Sequence, residues 1–351
     1  MKNLAVLLVA IFFGYSSYSQ SNTNSKFDFI SGEKVIFFDD FTNENLGDFP
    51  ANWNTNGSGE IVNSDRFENR WLKLTKQGFF IPEVSEDFTE NYTIEFDLIS
   101  EKPYEGDIFS LDMYLLSGDL MNPKGGTQPG EAGFRIHPSN SSITWNNWSE
   151  AREWQGDEGF VDYTFKSGEI NRFAFWFQKQ RVRLYINNNK VLDLQRGLNK
   201  GYKYNIFRID SNSDDLTPLV GNYRMAAGLP DVRSKLLTEG KLISYGIYFD
   251  VNSDKIKEES IPAIKEIASV LSENPEIKIK IIGHTDADGN EASNLKLSEN
   301  RSNAVKAVLN RTFAIDNGRI ETEGKGESQP LAPNNTVINK AKNRRVEFVK
   351  L

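Results

Sequence analysis

The chain has 351 residues, 41 Lys+Arg against 49 Asp+Glu for a net charge of −8, 38% hydrophobic and 26% charged residues, a composition with room for two or three packed domains. It contains no cysteine, which excludes disulfides, thiolate metal sites, a cysteine nucleophile and a lipid-bearing cysteine. Residues 240–351 carry 17 basic and 16 acidic side chains and the remainder carries 24 and 33, an acidic surplus that argues against nucleic acid or an anionic membrane face as its partner.

Residues 1–19 have the pattern of a secretory signal peptide: Lys2, a short apolar run Leu4–Phe13, then small Ser17 and Ser19 at a cleavage site. The run is too short to span a bilayer by itself, and the mature chain is expected to begin near Gln20. Residues 20–26 are polar and are expected to be disordered. From Phe27 the text is β-like. Tyr92–Ser100, Phe109–Leu116, Gly133–Pro138, Ser141–Trp148, Asn205–Asp210 and Asn222–Gly228 are short runs of β-branched and aromatic residues with partial alternation. Asn171–Leu194 continues the pattern, with Asn187–Asn189 as a hairpin tip because Asn tolerates positive φ. Membrane strands should be about 9–11 residues with alternating lipid-facing positions. Most runs here are shorter and their loops are acidic, so 27–228 is predicted to be an all-β sandwich.

A short join, 229–241, leads to a region that alternates strand and helix. Ser244–Phe249 is predicted as a strand, and Ile261, Ile264, Ile267, Ala268 and Leu271 fall at helical spacing before Pro275. Lys278–Gly283, Arg319–Gly326 and Arg344–Leu351 are further strands. A helix with Ser298 as N-cap and Ala304, Val305, Val308 and Leu309 as its buried stripe fills the gap. The order β-α-β-α-β-β suits a small α+β domain over 242–351, with helices on one face of a mixed sheet.

Within it, Ile281–Arg301 reads IIGHTDADGNEASNLKLSENR. Asp286 follows a short apolar strand, and Arg301 comes fifteen residues later in the first turn of the expected helix. If the loop folds back, carboxylate and guanidinium sit at one surface and suit a zwitterion, one taking an ammonium and the other a carboxylate by two parallel hydrogen bonds. The same spacing also allows Asp286 and Arg301 to pair with each other, or Asp286 to cap a turn.

GHTDADG, NLKLSENR, GKGESQP and NRRVEF occur in an order that resembles the C-terminal peptidoglycan-binding domain of the OmpA family, over roughly Gly240–Leu351. The resemblance implies a non-catalytic module that grips the diaminopimelate of the wall peptide through Asp286 and Arg301. It places Phe249, Asp250 and Thr285 beside the ligand, with Asn294 and Leu297 shaping the loop between. Arg344 or Arg345 either reaches the ligand carboxylate or begins a solvated strand; Phe249 and Asp250 are equally readable as core and turn. It further implies an exported protein of the outer membrane or periplasm of a Gram-negative bacterium that links those assemblies to the wall. More loosely, Val35–Trp53 and the Arg181–Leu194 hairpin resemble concanavalin-like jelly-roll modules, through which outer-membrane proteins or glycans are candidate partners.

Other motifs carry less. DADGN (Asp286–Asn290) has its glycine at position four rather than six, so it is not an EF-hand loop. Asp39, Asp40 and Asp48 are candidate calcium ligands or simply solvated acids. His137 and His284 are read as structural, and no cofactor or metal is assigned. An envelope glycan hydrolase, or a carbohydrate-binding protein tethered by the C-terminal domain, is the alternative. Glu95 and Asp97 share one face of a strand, but Glu101 lies too far along, beside Lys102-Pro103, to complete an acid set. Trp145, Trp148 and Trp154 are either sugar-stacking surfaces or core.

Overall fold

A computed structural model describes residues 27–86, 88–100, 109–119, 128–229 and 231–351. The expected signal peptide, the expected disordered stretch 20–26, Glu101, Lys102-Pro103 and Pro230 lie outside the described residues.

The first region consists of strands β1 (Lys34–Asp39), β2 (Trp53–Thr55), β3 (Gly59–Asn63), β4 (Arg70–Leu74), β5 (Gly78–Pro82), β6 (Asn91–Ile99), β7 (Leu111–Ser117) and β8 (Ala132–Pro138). It continues with β9 (Ser142–Ser149), β10 (Glu158–Asp162), β11 (Asn171–Gln178), β12 (Arg181–Ile186), β13 (Asn189–Leu194), β14 (Ile206–Ser211) and β15 (Leu219–Ala227). Among the described residues they form an eight-stranded sheet, β13-β12-β11-β6-β15-β4-β3 with β1 also on β15, and a seven-stranded sheet, β10-β9-β8-β7-β14-β5-β2. All these pairings are antiparallel. The two sheets share one apolar core. Phe96 of β6 and Phe175 of β11 meet Phe207 of β14 from the other sheet, with ring centroids 5.9 and 5.6 Å apart. Aromatic burial of this size dominates such a core. The tip between β12 and β13 has Asn187 and Asn188 at φ 49° and 65°, as a tight hairpin requires.

Strand β6 orients the molecule. Tyr92, Ile94, Phe96 and Leu98 point into the core. The alternate residues Thr93, Glu95 and Asp97 face outward, yet all are buried, which an outer sheet face in water would not produce. The second region covers them. Ser31 Oγ donates to Glu95 Oε1 at 2.5 Å, and Tyr248 Oη donates to Glu95 Oε2 at 3.0 Å from the other side of the boundary. Ile30, just before β1, packs into the core of the second region.

That region begins with a helical turn, α1 (Val232–Ser234), which runs into a π-type turn Lys235–Glu239. Then come β16 (Lys241–Ser244), α2 (Ile261–Glu273), β17 (Ile279–His284), α3 (Glu291–Arg311), β18 (Ile320–Gly326), α4 (Val337–Asn343) and β19 (Val346–Lys350). The sheet order is β16-β19-β17-β18, with β17 and β18 parallel and the other pairs antiparallel.

Three expectations are corrected here. The first strand is Lys241–Ser244, not Ser244–Phe249. Past Tyr245 the chain leaves the sheet, and its backbone is satisfied by the turn before α2. Tyr248 N–H donates to Ser260 Oγ, Lys257 N–H donates to Tyr248 O, and Phe249 keeps one bridge to Ile256. The order is β-α-β-α-β-α-β, because α4, capped by the Thr336 hydroxyl, stands before the last strand. Helix α3 starts eight residues earlier than the expected cap at Ser298. Its cap is Asn290, whose side chain accepts from the N–H groups of Ala292 and Ser293. Ser298 is buried inside the helix. The early turns carry no apolar stripe because they pack backbone against backbone: a Cβ at Gly283 would lie 2.2 Å from Ser298 O, and one at Gly324 would lie 2.5 Å from Glu299 N. Arg301 therefore sits in the third turn, not the first. Among the described residues no helix is long and apolar enough to cross a membrane.

Candidate functional site

A cleft of about 600 Å³ opens where the two regions meet. Six acidic and six basic side chains line it, so each sign of a zwitterionic ligand finds its opposite on the walls.

Asp286, at the end of the β17 extension, and Arg301, on α3, both line this cleft, but they do not pair with each other. Asp286 Oδ2 accepts from Arg344 Nη1 at 2.5 Å, and Oδ1 accepts from Asp288 N–H at 3.1 Å. Arg301 Nε donates to Ser253 O at 2.9 Å, and its guanidinium lies over the Phe249 ring at 4.9 Å. Its two terminal nitrogens have no partner among the described residues. Burial, and next the charge of Arg344, hold the Arg301 pKa below the usual guanidinium value, with Asp286 acting in the opposite sense. A partly desolvated cation whose terminal nitrogens have no bonded anion among the described residues gains most from an incoming carboxylate. Asp286 retains lone pairs for an ammonium beside Arg344, since a carboxylate offers about four acceptor positions.

The other predicted residues fall around this pair. Thr285 is buried, and its hydroxyl donates to Asp286 O at 2.8 Å, fixing the turn that presents the carboxylate. Asn294 Nδ2 donates to Asp288 O and to Glu327 Oε2, at 3.0 and 2.6 Å, so it shapes the loop. Leu297 lines the cleft half-buried. Phe249 is half-buried against the core and forms the platform under Arg301. Asp250 lines the mouth and pairs with Lys255 at 3.4 Å. Of the two arginines before the last strand, Arg344 reaches the cleft. Arg345 is buried and donates to Glu347 at 2.8 Å, away from it.

Sequence reasoning did not find the contribution of the first region. Phe38 carries the Arg344 guanidinium on its ring at 5.0 Å, and Asp40 lies 3.9 Å from Arg344. The Phe37-Phe38-Asp39-Asp40 run was visible, but nothing local says that β1 ends against a site 250 residues away. Lys340 of the unpredicted α4 also lines the cleft and pairs with Asp288 at 2.7 Å.

The alternative motifs resolve differently. Glu95 is 2% exposed and held by Arg172 at 3.1 Å, Arg224 at 3.0 Å, Ser31 and Tyr248. Asp97 accepts from Arg172 at 3.2 Å and from Asn222 at 2.5 Å. They form an ion network at the boundary rather than an open acid pair. Burial pushes the Tyr248 hydroxyl well above its usual range, so it stays protonated and donates to Glu95. Trp148 is fully buried and Trp145 packs on the main core, so neither offers a ring to sugar, whereas Trp154 is exposed. Asp39 is buried under hydrogen bonds from Phe41 N–H and Trp53 Nε1, and burial raises its pKa to about 7. Asp40 accepts from Thr42 and Asp48 from Asn45. Among the described residues no three His, Asp or Glu side chains are grouped as a metal cage. His137 contacts Asp112 at 3.0 Å, and buried His284 lies 3.6 Å from Glu347.

Comparison with known proteins fits the second region. Residues 248–344 match the model of the OmpA family, and this stretch is an OmpA family domain. Outer membrane porin F of Pseudomonas aeruginosa is 41% identical over 105 residues, which is 30% of this chain and 30% of that protein. Outer membrane protein A of Bordetella avium is 41% identical over 101 residues, 29% of this chain and 52% of the relative. The chain thus spans about a third to a half of the length of these relatives. The crystal structure of the peptidoglycan-associated lipoprotein from Burkholderia pseudomallei aligns at 28% identity over 30% of this chain and 88% of that one, with a TM-score of 0.28.

Proposed function

We propose that this chain is an exported, non-catalytic envelope protein that holds peptidoglycan noncovalently by the free end of diaminopimelate. That end bears an ammonium and a carboxylate on one carbon. Arg301, with both terminal nitrogens unpartnered among the described residues beside the Asp286 carboxylate, is the observation that carries this reading. Asp286 takes the ammonium, sharing its charge with Arg344, and Arg301 clamps the carboxylate with a planar fork. Phe249 supports the guanidinium, while Thr285, Asn294 and Leu297 hold the loop. On this reading the chain divides into a signal peptide 1–19, a polar N-terminal stretch 20–26, a jelly-roll-like sandwich 27–228, a join 229–241 and the wall-binding domain 242–351. It works at the outer membrane or in the periplasm of a Gram-negative bacterium, linking those assemblies to the wall. The test is co-sedimentation of the full chain with diaminopimelate-type and lysine-type sacculi. Preference for the former, lost in Asp286→Ala and Arg301→Ala, is expected; equal retention of all three proteins, or no preference between walls, would overturn it.

A further inference from the structure

Arg344 is held from both regions. Its Nη1 donates to Asp286 Oδ2 at 2.5 Å, its guanidinium lies over the Phe38 ring at 5.0 Å, and its Nη2 stands 3.9 Å from Asp40 Oδ2. Phe38 belongs to β1 and Asp40 follows that strand, so two of these three contacts come from the sandwich. The Asp40 contact is too long for a hydrogen bond. Both of its atoms are uncommitted: neither Arg344 Nη2 nor Asp40 Oδ2 has a hydrogen-bond partner among the described residues. Asp40 is nevertheless fixed, because its Oδ1 accepts from the Thr42 N–H at 3.2 Å and the Thr42 hydroxyl at 2.7 Å. Packing of α4 against β1 sets the distance between Arg344 and Asp40.

A bound zwitterion changes the charge count here. Its carboxylate goes to Arg301 and its ammonium to Asp286. Asp286 then faces two cations, the ammonium and Arg344. With Arg301 that makes three cations against two carboxylates, and the excess opposes binding. Most acids of the cleft are engaged elsewhere. Asp288 pairs with Lys340 at 2.7 Å and Asp250 with Lys255 at 3.4 Å, while Asp97 and Glu259 act on Arg172. Among the described residues, Asp40 and Asp286 are the two acids within 4 Å of Arg344.

We infer that Asp40 is a positioning residue of the wall-binding site, the acid that takes Arg344 when the ligand ammonium takes its place on Asp286. The guanidinium slides across Phe38 and keeps its ring contact, since a cation is attracted to the whole π-face and not to one atom. The bound state is then a row of three ion pairs: Arg301 with the ligand carboxylate, Asp286 with the ammonium, and Asp40 with Arg344. The inference rests on the function proposed above, and it gives the sandwich a part in wall binding through an acid that lies outside the OmpA-like domain.

The test is a double-mutant cycle on the full chain, read by calorimetric titration with free diaminopimelate. Asp40→Asn removes the charge and keeps the oxygen that accepts from Thr42; Arg344→Gln removes the cation. Asp40→Asn alone should weaken binding roughly three- to tenfold, between the scale of an exposed and of a buried ion pair. Arg344→Gln alone should tighten it about two- to fivefold, because Asp286 no longer serves two cations. In the Arg344→Gln background, Asp40→Asn should change affinity less than about twofold. Asp40→Asn that binds like the wild type would overturn the inference. An equal loss in both backgrounds would do so too, since Asp40 would then be a ligand contact or a structural support. Arg344→Gln that fails to tighten binding would likewise overturn it, because Arg344 would not be a cation the ligand has to displace. Wild type that does not bind diaminopimelate would overturn the function proposed above, and this inference with it.

Discussion

Arg301→Lys keeps the charge of the central cation and removes its shape. In the wild type the guanidinium does three things: Nε donates to Ser253 O, the plane stacks on Phe249, and the two terminal nitrogens remain available. A lysine ammonium could keep the ring contact and at most one directed bond, but it cannot present two parallel donors to a carboxylate. A charge-assisted hydrogen bond contributes roughly 1.5–3 kcal/mol, so loss of the fork should weaken diaminopimelate about 10- to 100-fold. Stability should respond differently. The Ser253 bond has a charged donor, so its loss costs roughly 1.5–3 kcal/mol, and a smaller unpaired cation is easier to hydrate, which offsets part of it. In a chain of this size the melting point should stay within about 5 °C of the wild type. The assay is calorimetric titration of full-length wild type and Arg301→Lys with free diaminopimelate, paired with a thermal melt of each. Equal affinity would refute the fork. A loss of affinity accompanied by a collapse in melting temperature would mean that Arg301 is structural.

Asp39→Asn tests a buried acid. Because burial raises the Asp39 pKa from 3.8 to about 7, the folded state retains a proton that the unfolded chain releases above about pH 4. Its stabilising contribution is full below pH 4 and is lost as pH rises to 7. The wild type should therefore lose up to about 4 kcal/mol relative to the Asn variant over that window in denaturant titrations, and parallel pH profiles would contradict the shift. Gly283→Ala places a Cβ 2.2 Å from Ser298 O, so α3 must move away from β17; a loss of several kcal/mol is expected, with diaminopimelate binding lost as Arg301 shifts. A melting point like the wild type would show that the helix has slack. Glu95→Gln removes the charge between Arg172 and Arg224 and should cost roughly 3–5 kcal/mol of stability while leaving affinity for free diaminopimelate unchanged. Loss of a glycan-cleaving activity in that variant, measured on labelled sacculi, would favour the hydrolase alternative instead.

The sequence disclosed what repeats locally. The strands around Tyr92–Ser100 and the Arg181–Leu194 hairpin follow from alternation and from asparagines that accept positive φ, and α2 follows from its isoleucine spacing. Motif order singled out Asp286 and Arg301, and the structure brings both to one cleft. Hidden were features that depend on contact at a distance. The first half of α3 has no apolar stripe because its neighbours are glycines, so periodicity placed its start eight residues late. The stretch after β16 looks like a strand by composition, but its hydrogen bonds go to the turn at 257–260. Arg344 as the partner of Asp286, with Phe38 and Asp40 beneath it, could not be seen without knowing that two sheets from different regions meet there.

The outward face of β6 limits how the chain can be recombined. Glu95 and Asp97 balance Arg172 and Arg224 only while Tyr248 and the chain around it roof them from water. A chimera joined at residues 229–241 would separate that roof from its floor. The donor of the OmpA-like domain would carry away a tyrosine hydroxyl with no acceptor, and the recipient sheet would expose four charges arranged for a dry setting. A successful fusion must exchange Ser31, Glu95, Arg172, Arg224 and Tyr248 as a set, so the unit of inheritance at this junction is the pair of faces, not the domain on either side.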